Sequence, residues 1–118
     1  MAAGSRMRRV NEAVREVLSG HITDDLKDPR VGFVTVTGVE TSPDLRHARV
    51  YVSVLGSDEQ RSEALEGLNS SAGFLQSKVG QELRMKRTPT LEFLYDESID
   101  RGMRISELLD TEDQGQWE

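Results

Sequence analysis

From Phe33 to Tyr95 the hydrophobic spacing changes period, and this change limits the fold more than any other feature. Phe33-Val34-Thr35-Val36-Thr37 and Arg49-Val50-Tyr51-Val52-Ser53-Val54 alternate with period two and are rich in β-branched residues, as half-buried strands are. The turn-rich stretch Glu40-Thr41-Ser42-Pro43-Asp44-Leu45 joins them as an antiparallel hairpin. About 35 mostly helical residues then lead to a third alternation, Leu91, Phe93 and Tyr95. A connection of that kind makes the second and third strands parallel, with a right-handed crossover. Val34, Val36, Val50, Val52 and Val54 are expected to face the core; Thr35, Thr37, Arg49 and Ser53 face away.

Helical periods fill the remainder. Met7, Val10, Val14, Val17, Leu18, Ile22 and Leu26 recur every three or four residues, which predicts a helix from Arg6 to Leu26. Asp28-Pro29-Arg30 stops it, because the residue before proline avoids the helical region. Ser57, with Gln60 three residues on, is a capping box for the next helix, whose buried side is Ala64, Leu65 and Leu68. Asn69-Ser70-Ser71-Ala72-Gly73 interrupts it with small side chains. A helix from Ala72 to Arg84 follows, with Leu75, Val79 and Leu83 on one face. A short last helix is expected from Ser98 or Asp100, burying Met103, Leu108 and Leu109.

The order α-β-β-α-kink-α-β, plus the last helix, gives an α+β sandwich: a three-stranded mixed sheet with helices on one face. With 118 residues the chain is expected to form one domain over 1–110, followed by a polar, disordered tail over 111–118. It has no cysteine, which removes disulfides, thiolate metal sites and cysteine nucleophiles. No metal and no cofactor are expected. Nothing approaches the roughly 18 apolar residues of a membrane span, and the first residues carry no apolar export signal. The expected location is the cytoplasm, with no membrane partner.

The net charge of −6 is unevenly spread: +2 over residues 1–20, −4 over 21–68, +3 over 69–91 and −7 over 92–118. Two basic stretches thus stand in an acidic chain, and local fields guide binding more than net charge does. Ser42, Asp44 and His47 invite a catalytic triad, but no nucleophile elbow accompanies them, and a polar turn accounts for them better. Asp24, Asp25 and Asp28 match no calcium loop, and His21 reads as a partly exposed helix histidine. The kink is chemically richer. Ser71, Ala72 and Gly73 sit where a helix starts, with unsatisfied N–H groups and a partial positive charge. Such a place suits a phosphate, and Lys78, Arg84, Lys86 and Arg87 follow it. A turn with a solvated basic end explains the same residues. Arg6, Arg8 and Arg9 oppose the dipole of the first helix, which points to a partner bearing negative charge or to a disordered start. Phe74 and Trp117 are too few for much base stacking, so phosphate and shape contacts are expected to lead.

From about Arg8 to Leu109 the chain resembles the bacterial ribosome-binding factor A family. The resemblance is carried by Asp28-Pro29-Arg30, Val34-Thr35-Val36-Thr37-Gly38-Val39, Ala48-Arg49-Val50-Tyr51-Val52-Ser53, Ala72-Gly73-Phe74-Leu75, Thr88-Pro89-Thr90-Leu91-Glu92-Phe93 and the run from Tyr95 to Ile105. It implies a single KH-like domain of type II topology and no catalytic activity. The implied function is binding to the free small (30S) ribosomal subunit and help in late maturation of 16S rRNA, including its 5′ end, with a link to growth in the cold. Implied partners are the small subunit, 16S rRNA and other assembly factors, met by a monomer. The family replaces the KH Gly-x-x-Gly loop by Ala-x-Gly, which here is Ser71-Ala72-Gly73; Gln76 stands where relatives often carry Arg. Two other readings remain: a protein–protein adaptor using the polar sheet face, and a small hydrolase using Asp44 and His47.

Overall fold

The computed structural model describes residues 2–98, with side chains from residue 6. In chain order the elements are α1 (Ala2–Asp24), β1 (Val34–Thr41), β2 (His47–Val54), α2 (Asp58–Ser70), α3 (Ala72–Leu83) and β3 (Thr90–Tyr95). The sheet order is β1-β2-β3. β1 runs antiparallel and β3 parallel to β2, as the change of hydrophobic period requires. The helices cover one face. Val14, Leu18 and Ile22 of α1, Ala64 and Leu68 of α2, and Leu75 and Val79 of α3 meet Val36, Val50, Val52, Leu91 and Phe93 of the sheet. No helix among the described residues is long and apolar enough to cross a membrane. The last helix expected from Ser98 or Asp100 lies, beyond Ser98 itself, outside the described residues, as do Met103, Leu108 and Leu109 and the tail over 111–118.

β1 is longer than its alternation suggests. Val36 pairs with Val52 but Gly38 pairs with Tyr51, so Thr37 is an extra residue in a β-bulge. The bulge resets the phase, and Val39 and Thr41, rather than Gly38 and Glu40, turn to the core. Glu40 and Thr41 therefore belong to the strand, and the connection shrinks to Ser42–Arg46. Ser42 N–H donates to the His47 carbonyl at 2.8 Å and closes it. α1 starts before Arg6 and ends at Asp24, so Leu26 packs against the core from the loop that follows.

Two glycines let helices approach their neighbours. A Cβ at Gly67 would stand 2.7 Å from Val31 Cγ2, and one at Gly80 would stand 2.5 Å from Thr88 Oγ1. The capping box of α2 forms in full: the Ser57 hydroxyl accepts from Gln60 N–H at 3.2 Å, and Gln60 Oε1 accepts from Ser57 N–H at 2.7 Å.

An asparagine ties each outer strand to a helix. Asn11 Oδ1 accepts from Thr41 N–H of β1 at 3.0 Å. Asn69 Oδ1 accepts from Phe93 N–H of β3 at 3.0 Å, and its Nδ2 donates to the Phe93 carbonyl at 3.3 Å. Asn69 is therefore a working member of α2, not part of an interruption. The opposite face of the sheet is less polar than expected. Phe33 and Leu55, just beyond β1 and β2, are 80% and 76% exposed and joined by a 3.1 Å main-chain hydrogen bond.

Candidate functional site

The interruption between α2 and α3 is a single residue. Ser71 has φ −96° and ψ 6°. Its N–H donates to the Gly67 and Leu68 carbonyls at 3.1 and 3.0 Å, and its carbonyl accepts from Leu75 N–H at 3.0 Å. The chain bends while keeping nearly helical bonding, so fewer end groups are freed than at two separate helix ends. The Ser71 hydroxyl makes no capping bond. Its backbone lacks the extended ψ that aims an N-cap side chain at the first turn. Ala72 is half-buried and packs against the core. Gly73 is exposed, and a Cβ added there meets nothing within 4 Å among the described residues. Smallness at 72 serves the protein's own packing, whereas smallness at 73 serves no internal contact.

The basic residues fall in three places. Lys78 lies about two turns past the kink, with Nζ 5.4 Å from the ring centroid of Phe74, itself 44% exposed. Arg84 ends α3 in the left-handed region at φ 51°, and Lys86 and Arg87 follow it, all exposed. The twelve residues of α3 set this group about 18 Å from the kink. Arg6, Arg8 and Arg9 are exposed on α1. Because α1 begins at Ala2, Arg6 is its fifth residue, past the first turn where the dipole acts most strongly. The conflict with the dipole expected for these arginines is correspondingly small. The C-terminal ends of α1 and α3 meet where His21 Nε2 bonds Glu82 Oε2. Arg8 lies about 20 Å from that contact along α1. These groups are thus spread along two helices and do not form one compact cluster.

One cation escaped the sequence reading. Asp28-Pro29-Arg30 reads in the sequence as a helix stop and as a motif of the family resemblance, with no binding role for Arg30. In the structure the Asp28 carboxylate accepts from Arg30 N–H at 2.9 Å and from its guanidinium at 2.6 Å. That guanidinium also reaches Ser70 Oγ at 3.4 Å, next to the kink. The paired Arg30 side chain and N–H hold the Asp28 carboxyl down to about 2. Gln76, by contrast, donates to the Thr88 carbonyl at 3.1 Å and fastens α3 to the start of β3.

The catalytic readings find no support in the geometry. Ser42 Oγ donates to Asp44 Oδ1 at 2.6 Å and accepts from the main-chain N–H of His47 at 3.1 Å. A nucleophile would instead need the His47 ring as its base; this is a turn-building serine. Among the described residues no group of three or more His, Cys, Asp or Glu is placed to hold a metal. An open cleft of about 750 Å³ includes Asn11, Thr41, His47, Arg49 and Thr90 in its lining, and none of the residues expected to bind RNA lines it.

Comparison with known proteins gives this arrangement a family. The model for ribosome-binding factor A matches residues 6–109. Ribosome-binding factor A of Geobacter metallireducens is 53% identical over 104 residues, 88% of each chain. That of Geobacter sulfurreducens is 47% identical over 105 residues, 89% of each. Among solved structures, the crystal structure of the Thermus thermophilus factor matches with a TM-score of 0.67 and 30% identity, over 75% of this chain and 94% of that one. A homology model of the Thermus thermophilus factor, fitted into the cryo-EM map of a 30S complex, matches with a TM-score of 0.62 and 31% identity, over 74% and 91%. A match that runs from the arginines of α1, through the kink, to residue 109 leaves no other assignment: the chain belongs to the ribosome-binding factor A family.

Proposed function

We propose that this protein is a ribosome-assembly factor that binds the free small (30S) subunit through phosphate and shape contacts to rRNA. In this reading it assists late maturation of 16S rRNA, including its 5′ end, and works by binding rather than by catalysing a reaction. It acts as a monomer in the cytoplasm, alongside other assembly factors. The observation that carries the reading is the likeness to the Thermus factor whose coordinates were fitted into a map of its 30S complex.

The surface proposed for rRNA is centred on the kink. Glycine inside a helix costs about 0.5–1 kcal/mol relative to alanine. At Gly73 no internal contact offsets that cost, which supports close approach of a partner from outside. Ser71 and Ala72 flank it, Lys78 supplies nearby positive charge, and Arg84, Lys86 and Arg87 extend the charge along α3. Arg6, Arg8 and Arg9 offer a further patch for a neighbouring stretch of backbone. Spacing of this kind suits an extended polyanion better than a single small anion.

The test is co-sedimentation with isolated small subunits, isolated large subunits and joined ribosomes over a range of salt. The expected result is binding confined to free small subunits, weakening steeply with salt as counterions are released. Salt-insensitive binding to a protein partner would support the adaptor reading instead.

A further inference from the structure

Phe33 and Leu55 form the most exposed apolar pair among the described residues, and they lie on the sheet face that none of the described helices covers. Val34 and Val54 are cross-strand partners, and they turn toward the helices. Alternation then puts Phe33 and Leu55 on the opposite face. Half-buried Tyr51 and Leu94 lie further along that face. Large apolar side chains gathered this way mark a surface that something covers.

The contacts at the exit from β3 point to what covers it. Asp96 N–H donates to the Val52 carbonyl of β2 at 2.8 Å. The Asp96 carboxylate accepts from the Thr37 hydroxyl of β1 at 2.5 Å. The first of these is the last ladder bond between β2 and β3, and in the second the Asp96 side chain, at the exit from β3, reaches past β2 to β1 on the outer face. Leu55 lies three residues beyond Val52, about 10 Å along the strand. Residues 99–109 include Ile99, Met103, Ile105, Leu108 and Leu109, and even coiled as a helix eleven residues reach about 16 Å. The family match also continues to residue 109 and stops there.

We propose that residues 99–109 of this chain dock on the outer sheet face and cover Phe33 and Leu55. The sheet then has helices on one face and its own C-terminal segment on the other. This surface is separate from the kink and does not depend on what the kink binds.

The chain has no cysteine, so disulfide trapping in the full-length protein has no background. Leu55→Cys is combined in turn with Met103→Cys, Ile105→Cys and Leu108→Cys, and Glu63→Cys with Ile105→Cys is the control. Dilute protein is mildly oxidised and run on a non-reducing gel. At least one Leu55 pair is expected to close within the chain about tenfold faster than the control, since cross-linking needs Cα atoms within about 7 Å. In a second arm, Phe33→Asp with Leu55→Asp leaves the fold intact, because neither side chain belongs to the core between the sheet and the helices. It is expected to speed tryptic cleavage after Arg101 and Arg104 about tenfold by releasing the segment. Closure no faster than the control, unchanged cleavage, or disulfide-linked dimers in place of monomers would overturn the proposal; dimers would show that a second copy covers the face.

Discussion

The Asn69 carboxamide makes two hydrogen bonds to the main chain of Phe93, at 3.0 and 3.3 Å. It stands where another strand's peptide would stand and ties the last turn of α2, just before the kink, to the free edge of β3. Asn69→Ala leaves an N–H and a carbonyl of a buried residue without these partners. The expected loss is about 1–3 kcal/mol, read as a lower urea midpoint at constant m. A change below about 0.5 kcal/mol would show that the tie contributes nothing.

His21 sits between two carboxylates, Asp25 on its own helix and Glu82 on α3. The hydrogen bond to Asp25 first, then that to Glu82, raises its pKa above 6.5. A neutral imidazole has one N–H and can donate to only one of the two. The stabilisation is therefore fully present below about pH 6.5 and is lost as the pH rises through the raised folded value. The stability difference between the protein and His21→Gln, measured by urea unfolding from pH 5.5 to 8.5, should shrink as the pH rises. A difference that grows with pH would contradict the pairing.

Lys78 and Arg84 are read as phosphate contacts. Replacing both by Gln should reduce the slope of log affinity against log salt, for small-subunit binding, by up to about two units. An unchanged slope would show that neither side chain meets a phosphate.

The sequence made the architecture legible because burial follows period. Val36, Val50, Val52, Leu75, Val79 and Phe93 all lie in the core, and the change from period two to a helical period set the strand directions. The bulge at Thr37 was not legible, since one extra residue in a run of Val and Thr leaves the composition unchanged and shifts only the phase. Asn69 was misread because a polar residue near a helix end resembles a breaker until β3 is seen beside it. The kink itself was visible in Ser71-Ala72-Gly73, but the separate tasks of Ala72 and Gly73 depend on tertiary neighbours. Arg30 was missed because 36 to 40 residues separate it from its partners Glu66 and Ser70, a distance no local pattern spans.

The most direct test of the account is the affinity of Gly73→Glu for isolated small subunits, measured beside its thermal stability. Gly73 lies in the first turn of α3 with free space around it. Glutamate there improves helix propensity and suits the positive end of the dipole, so the variant should fold at least as well as the parent. The same change fills the space left for a backbone and sets a negative charge beside a phosphate. The account predicts unchanged or higher thermal stability with affinity lowered at least about tenfold, or about 1.4 kcal/mol. A folded Gly73→Glu protein that binds small subunits as tightly as the parent would contradict it.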